Sequence, residues 1–331
     1  MWQRVLHPFL NHTIVHVTDR CNYRCKSCFV NFGKHDLTLE QARGLSRKLG
    51  RIAALDIGGG EPFMHADLFG IVQAFRFGSV TIPTNGFYKD TILEVVGKLL
   101  STYPRRVTIA VSFDGPAELN DALRGPRSFA RARETFDALR RLPGLKLKVN
   151  TVISDRNVDG IVDFAREVRS WGADYHSLLL LRGDPLAPDE IGTPPAARLR
   201  AISPELFEVL RGYRYGQNPL LGRMMGSYHR YMWDVSLKML EERRAPFQCR
   251  APHFNKVVYS DGQASMCELK PRLGNLFDED AATVEARFHE HLGAFEREHG
   301  RCYCTHNCVI SENILTHPPS AVRVIAGAAT R

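Results

Sequence analysis

Residues 12–28 read HTIVHVTDRCNYRCKSC, a β-branched apolar run that leads directly into a loop with three cysteines. Such a run predicts a buried strand at residues 12–18. Five similar runs follow before residue 182, separated by amphipathic stretches with apolar residues three and four positions apart. The predicted strands are 12–18, 52–57, 79–83, 106–113, 145–153 and 176–181, and the predicted helices are 38–50, 65–77, 90–101, 127–142 and 157–171. This alternation predicts an α/β fold, a partial (β/α)6 TIM-like barrel of parallel strands.

The character of the chain changes after residue 185. Residues 186–244 begin with a Pro- and Gly-rich loop and continue with helical patterns, which is typical of a connector. Residues 245–331 hold five of the eight cysteines and short strand-like pieces. We therefore predict a barrel at 1–185, a connector with helices, and a small cysteine-rich domain stapled by metal.

The composition excludes several classes of protein. The 331 residues include 44 Lys and Arg against 36 Asp and Glu, and the positive excess is dispersed, so we expect no nucleic-acid partner. No stretch approaches the roughly 18 apolar residues of a membrane span, and the first residues lack the layout of a signal peptide. This favours a cytoplasmic protein, in which clustered cysteines are more typical of metal binding than of disulfides.

Polar and glycine-rich segments follow the predicted strands. Loops at the carboxyl ends of parallel strands vary without disturbing the core, so functional residues of such barrels gather there. These segments are the cysteine loop, Gly58-Gly59-Gly60-Glu61-Pro62, Thr84-Asn85-Gly86, Ser112-Phe113-Asp114-Gly115-Pro116 and Asn150-Thr151. Glycine lets a backbone approach a ligand closely, and the Glu61 carboxylate can pair with an ammonium group.

The first cysteine loop carries Cys21, Cys25 and Cys28. Three thiolates at this spacing can bind three irons of a cubane cluster and leave the fourth iron open to an external ligand. A structural zinc site would need a fourth protein ligand, and the next cysteine in the chain is Cys249. The spacing therefore favours an iron–sulfur cluster over zinc.

The CxxxCxxC loop after the first strand and GGEP after the second resemble the radical S-adenosylmethionine (SAM) superfamily. The resemblance covers residues 12–182. It implies that the three cysteines bind a 4Fe–4S cluster whose open iron holds SAM for reductive cleavage to methionine and a 5′-deoxyadenosyl radical. It also implies a first set of SAM-binding residues, which are Gly59, Gly60, Glu61, Thr84 and Asn85. Within this set, the GGE residues would hold the SAM amino group.

Residues 111–125, VSFDGPAELNDALRG, are similar to the fourth-strand segment of the SPASM and anaerobic sulfatase-maturase branch. This resemblance implies that the Ser112 hydroxyl contacts the SAM ribose and that the Arg124 guanidinium binds the SAM carboxylate. A hydroxyl and a guanidinium fork suit those two partners. Further SAM-binding positions that the resemblance implies are Asp114, Asn150 and Leu180.

The second cysteine group resembles the twitch or SPASM extension, which binds auxiliary 4Fe–4S clusters. Five cysteines are too few for two clusters, so the resemblance implies one. The predicted ligands are Cys249, Cys267, Cys304 and Cys308. The predicted spare thiol is Cys302, which would donate a hydrogen atom to a substrate radical. The alternatives are Cys304 or Cys308 as the spare thiol, an inert buried thiol, two cysteines that compete for one iron, or a zinc site with His306 as a further ligand.

We predict a radical SAM oxidoreductase or isomerase that abstracts hydrogen from a substrate C–H bond. Its predicted electron donor is a protein such as flavodoxin or ferredoxin. The first strand is predicted near residue 12, which leaves no space before it for the leader-recognition domain of many peptide modifiers. We therefore expect oxidation or epimerisation of a small polar metabolite, such as a sugar or aminocyclitol. The alternatives are modification of a ribosomal peptide or protein and, in another class, a non-catalytic iron–sulfur or zinc scaffold, which would not explain the strand-end segments.

Overall fold

Nine strands form one sheet in the computed structural model, which describes residues 2–213, 215 and 218–329. The strands are β1 His12–Thr18, β2 Arg51–Gly59, β3 Arg76–Thr84, β4 Val107–Ser112, β5 Lys146–Ile153, β6 Tyr175–Leu180, β7 Asn255–Val258, β8 Gln263–Ser265 and β9 Gly274–Asn275. Their order across the sheet is β6-β5-β4-β3-β2-β1-β7-β8-β9. Strands β1 to β6 are parallel, and β6 ends the sheet. These six strands therefore form an open, partial barrel.

Helices cover the sheet and continue into the C-terminal part. They are α1 Trp2–Leu10, α2 Leu39–Leu49, α3 Leu68–Ala74, α4 Lys89–Thr102, α5 Ala117–Arg124, α6 Ser128–Leu139, α7 Ile161–Ser170, α8 Ala196–Leu210, α9 Pro219–Glu242, α10 Ala251–Phe254, α11 Ala281–His299, α12 Asn307–Leu315 and α13 Pro318–Ala329. Among the described residues, none of these helices combines the length and the apolar character that crossing a membrane requires.

The predicted α/β fold is confirmed, with all six predicted strands in place. Successive side chains of a strand point to opposite faces of the sheet. On one face, apolar side chains such as Val15, Ile57 and Val111 join the main hydrophobic core together with apolar residues of the helices. The alternate positions of β1 and β2 include the polar residues His12 and Asp56. One face of the sheet is therefore polar, a face that can hold a ligand.

Helix α5 is an element that the sequence analysis did not predict. It occupies the short amphipathic segment after β4, and Gly125 ends it with φ 133°, a backbone angle that favours glycine. The amide of Gly125 donates to the carbonyl oxygen of Asp121 over 2.9 Å. Because Arg124 is the last residue of this helix, α5 fixes where that side chain begins.

The C-terminal part is joined to the barrel through β1. Strand β7 pairs with β1 in parallel, with Asn255 opposite His12, and β8 and β9 follow as antiparallel strands. Helices α9, α12 and α13 share a second apolar cluster that includes Val235, Ile310 and Val324. The sheet therefore continues past residue 245, where the sequence analysis placed a domain boundary.

Candidate functional site

The first cysteine loop follows β1, and the thiols of Cys21, Cys25 and Cys28 are free and partly buried. The amide of Cys28 donates to the carbonyl oxygen of Cys25 over 3.0 Å, which turns the loop back on itself. Burial, together with the nearby Glu61, Cys25 and Cys28, raises the pKa of the Cys21 thiol to about 11. Buried thiols that act on one another ionise readily only when a cation binds them, and three such thiols suit an iron–sulfur cluster.

The glycine turn after β2 packs directly against this loop. A Cβ atom on Gly59 would lie 2.2 Å from the carbonyl oxygen of Thr18, and one on Gly60 would lie 2.1 Å from that of Arg20. The amide of Gly60 donates to the Thr18 carbonyl oxygen over 2.8 Å. The glycines are therefore required for the close approach of two protein backbones, in addition to their predicted role toward SAM.

Glu61 is only 2% exposed and is held by the end of β3. One carboxylate oxygen accepts from the Thr84 hydroxyl over 2.8 Å, and the other accepts from the Asn85 amide over 2.7 Å. Burial raises the pKa of Glu61 to about 7 despite these hydrogen bonds. The Asn85 side chain also donates to the side-chain oxygen of Asn22 over 2.8 Å, which ties it to the cysteine loop. Thr84 and Asn85 therefore orient a carboxylate whose negative charge is costly until a cation approaches.

Arg124 brings positive charge next to the cysteine loop. Its guanidinium donates to the Asp114 carboxylate over 2.8 Å, and both side chains are buried. The Arg124 carbonyl oxygen lies 3.8 Å from the Cys25 sulfur. Burial alone would lower the pKa of Arg124, but the negative charges of Cys25 and Asp114 raise it. The other oxygen of Asp114 accepts from the backbone amide of Val152 over 2.9 Å. Arg124 is therefore a permanent cation whose position is fixed by Asp114.

Ser112, Asn150 and Leu180 complete the predicted SAM contacts. Ser112, the last residue of β4, lies opposite Asn150 within β5, and Leu180 is buried at the end of β6. The side-chain oxygen of Asn150 is buried without a hydrogen-bond partner, which is rare for a buried polar atom. Free thiols, a buried carboxylate and this unpaired amide oxygen fit a cluster that binds an amino acid and a ribose.

Four cysteines of the second group lie together. Cys249 hydrogen-bonds to Cys302, which lowers the pKa of Cys302 to about 7 and raises that of Cys249. Burial raises the pKa of Cys267 and of Cys304. The negative charges of nearby Cys302 and Cys304 raise the pKa of Cys267 further. We call Cys249, Cys267, Cys302 and Cys304 the four-thiol group. Its donor set fits a 4Fe–4S cluster or tetrahedral zinc.

Cys308 lies apart from the four-thiol group. It stands in the first turn of α12, where its sulfur is within 4.8 Å of ligand atoms of His12 and Asp56. The structure thus groups the five cysteines differently from the predicted assignment, which paired Cys308 with the ligands and left Cys302 spare. The hydrogen-donor role of Cys302 stays a prediction.

A buried charged network that the sequence analysis missed lies beside the four-thiol group. Glu268, the residue after Cys267, accepts from His306 over 2.7 Å and from Arg182 over 3.1 Å, and lies 3.6 Å from His16. Burial alone would raise the pKa of Glu268, but hydrogen bonds from both histidines and the Arg182 charge hold it well below its usual value. His16 lies on the same face of β1 as His12, and this alternation of histidines was the available signal. The Nε2 atom of His306 is therefore occupied by its hydrogen bond to Glu268.

Comparison with known proteins matches residues 15–168 to the radical SAM superfamily. The chain is 32% identical over 166 residues to the mycofactocin maturase MftC of Mycolicibacterium smegmatis, covering 47% of this chain and 41% of that protein. It is also 32% identical over 159 residues to the S-adenosylmethionine-dependent nucleotide dehydratase of Selenomonas ruminantium, covering 44% and 57%. The match thus spans about half the length of these relatives.

The fold is shared with a solved radical SAM structure across nearly the whole chain. The structure of anSMEcpe with bound AdoMet and the Cp18Cys peptide superposes with a TM-score of 0.61 at 16% sequence identity. The superposition covers 96% of this chain and 99% of the anSMEcpe chain. The superfamily uses SAM and a 4Fe–4S cluster. Residues 15–168, which carry the cysteine loop, the glycine turn and most strands of the partial barrel, therefore form a radical SAM domain.

Proposed function

We propose that this protein is a radical SAM enzyme that modifies a peptide or protein substrate. The observation that carries the proposal is the convergence of three free thiols, Glu61 and Arg124 at the carboxyl ends of the strands. The sequence match to a maturase and the shared fold with a structure that holds AdoMet and a peptide support the substrate class.

When bound, the cluster and SAM supply a one-electron cleavage that initiates hydrogen abstraction from a substrate C–H bond. The chain supplies the binding and orientation. Cys21, Cys25 and Cys28 would hold the cluster, and Ser112 and Asn150 would meet the ribose with a hydroxyl and an unpaired amide oxygen.

Glu61 and Arg124 would divide the amino acid part of SAM between them. The Glu61 carboxylate is buried, and an ammonium group beside it would offset the cost of its charge. The Arg124 guanidinium binds Asp114 through one nitrogen, Nη1, so its other donors can reach a carboxylate. The opposite charges of these two side chains would fix the direction in which an amino acid binds.

The four-thiol group would hold one auxiliary cluster. Its thiols come from the segment before α10, the loop after β8 and the loop after α11. A cluster there would join three segments that lie far apart in the sequence. Glu268 follows Cys267 in the chain and contacts His306 and His16 of β1, so this charged network would lie beside the auxiliary cluster.

A small-molecule substrate is the second candidate. One relative is an S-adenosylmethionine-dependent nucleotide dehydratase, and its name indicates a nucleotide substrate. The predicted sugar or aminocyclitol substrate has less support than a peptide, because it depended on where the first strand begins.

The test uses protein reconstituted with iron and sulfide without oxygen and incubated with SAM and dithionite. We expect 5′-deoxyadenosine from the wild type and none above background from Cys25→Ala. Glu94→Gln, a change on the exposed face of α4, is the matched control and should match the wild type. If wild-type protein with its clusters fully loaded forms no 5′-deoxyadenosine, the proposal that it is a radical SAM enzyme is rejected. The substrate class is then tested by adding candidate peptides, nucleotides and sugars. Mass spectrometry follows the loss of substrate hydrogen. Product from sugars or nucleotides alone would reject the proposal of a peptide substrate.

A further inference from the structure

Three ligand-type side chains meet near the start of β1, away from the first cysteine loop. They are His12 in β1, Asp56 in β2 and Cys308 in α12, and their ligand atoms lie within 4.8 Å of one another. Asp56 pairs with Ile14 across the two parallel strands, so His12 and Asp56 stand on the same face of the sheet. With about 3.3 Å per strand residue, this place lies about 20 Å from the cysteine loop at the other end of β1.

The hydrogen bonding around His12 is incomplete. Its buried Nε2 atom forms an ion pair with Asp56 over 3.1 Å, in a geometry that falls short of a well-directed hydrogen bond. Its Nδ1 atom lies 3.5 Å from an oxygen of Glu312, whose two carboxylate oxygens are also buried without hydrogen bonds. Because buried polar groups are almost always satisfied, three such atoms together indicate a ligand.

The arrangement matches the second layer of a metal site. A histidine that binds metal through one ring nitrogen usually donates the other N–H to a carboxylate, which sets its tautomer and orientation. Here Glu312 faces Nδ1 of His12, and Nε2 faces Asp56. The side chains that would bind the metal and the one that would orient them are therefore all supplied by buried or half-buried residues.

The local charge also favours a divalent cation. Two carboxylates and a thiol surround one buried imidazole, and Asp56 and Cys308 are half-buried. A metal ion at this place would be attracted by both carboxylates and by a Cys308 thiolate. The buried Lys148 ammonium is also near, but its hydrogen bond goes to Tyr175.

We propose that His12, Asp56 and Cys308 form a mononuclear zinc site with a fourth position open to water or substrate. Imidazole, carboxylate and thiolate are all ligands of zinc, and three protein ligands are typical of sites that keep one position open. Binding would release to solvent the Cys308 thiol proton and, where His12 is charged, its Nε2 proton, because thiolate and neutral imidazole are the ligand forms. The site would also fasten α12 to β1 and β2, independently of the enzymatic function proposed above.

The test measures metal content and does not depend on activity. Protein reconstituted anaerobically with iron and sulfide is given zinc, dialysed and measured by mass spectrometry of the elements. We expect about one zinc per chain in the wild type and at least a tenfold loss in Cys308→Ser and Asp56→Asn, with iron unchanged. Ser311→Ala, one turn further along α12 and bonded to Tyr228, is the matched control and should keep its zinc.

X-ray absorption at the zinc edge of the wild type gives an answer even when a variant fails to fold. We expect one sulfur at about 2.3 Å with nitrogen and oxygen at about 2.0–2.1 Å. Four sulfur neighbours would place the zinc in the four-thiol group and overturn the proposal. Failure of the wild type to retain zinc, or loss of iron from Cys308→Ser, would overturn it as well.

Discussion

Replacing Glu61 with glutamine should change how the stability of the cluster-free protein depends on pH. Burial raises the pKa of the Glu61 carboxyl from 4.5 to about 7, and its hydrogen bonds offset only part of that rise. The folded protein therefore holds this proton more tightly than the unfolded chain does between pH 4.5 and about 7. The contribution of Glu61 to stability then falls as the pH rises through this range. At about 1.36 kcal/mol per pKa unit, ionisation of Glu61 costs about 3 kcal/mol.

Glutamine removes this cost but also loses a hydrogen bond. It keeps only one of the two acceptor oxygens, so either the Asn85 amide, which donates to one oxygen over 2.7 Å, or the Phe63 amide, which donates to the other, loses its acceptor. Leaving that buried donor unpaired costs about 1–3 kcal/mol at every pH. We therefore expect Glu61→Gln to be less stable than the wild type at about pH 5. By about pH 8 the variant should gain about 3 kcal/mol relative to the wild type.

The assay is urea denaturation of both cluster-free proteins, without oxygen, at about pH 5 and about pH 8. The difference in unfolding free energy between the two proteins isolates Glu61, since all other groups titrate in both. Glu94→Gln, in which the changed carboxylate is exposed and paired with Lys98, serves as the control and should show no such pH dependence. If the difference in unfolding free energy between Glu61→Gln and the wild type is the same at both pH values to within about 1 kcal/mol, then burial does not raise the cost of ionising Glu61 and the reasoning is refuted.

Three further substitutions test other parts of the site. Gly60→Ala puts a Cβ atom 2.1 Å from the Arg20 carbonyl oxygen, so denaturation should show a loss of about 1–3 kcal/mol that Gly97→Ala, with no atom within 4 Å, does not show. Cys302→Ser removes a thiol from the four-thiol group, so reconstituted protein should lose about half of its iron and sulfide; an unchanged iron content would place Cys302 outside the ligand set. Arg124→Lys loses the forked contact, so the KM for SAM should rise about tenfold while cluster absorbance stays the same, and an unchanged KM would argue against carboxylate binding.

The barrel was predictable because its signals are local. Each strand carries its own β-branched run, and each strand-end motif follows directly in the chain, so parallel order alone brings Glu61, Thr84 and Asn85 together. Helix α5 was missed because its eight residues also fit an irregular segment after a strand. Its presence matters for the site, since it determines the position of Arg124.

The grouping of the second five cysteines was not predictable in the same way. The 19-residue helix α11 separates Cys267 from Cys302, and the chain then turns so that α12 begins against the barrel. Spacing along the chain carries no information about that turn. His12 and Cys308 meet only because the C-terminal segments pack beside β1, a contact between the two ends of the sequence.

Because β7 pairs with β1, the segments that carry the two cysteine groups belong to the same sheet. A chain cut after residue 244 would keep every residue of the SAM barrel but would strip β7 from β1 and expose the backbone of that strand as a free edge. Free edges recruit strands from other molecules, so such a truncation should aggregate. Transplanting this barrel into another protein would therefore require a substitute strand along β1, the strand that also carries the first cysteine loop.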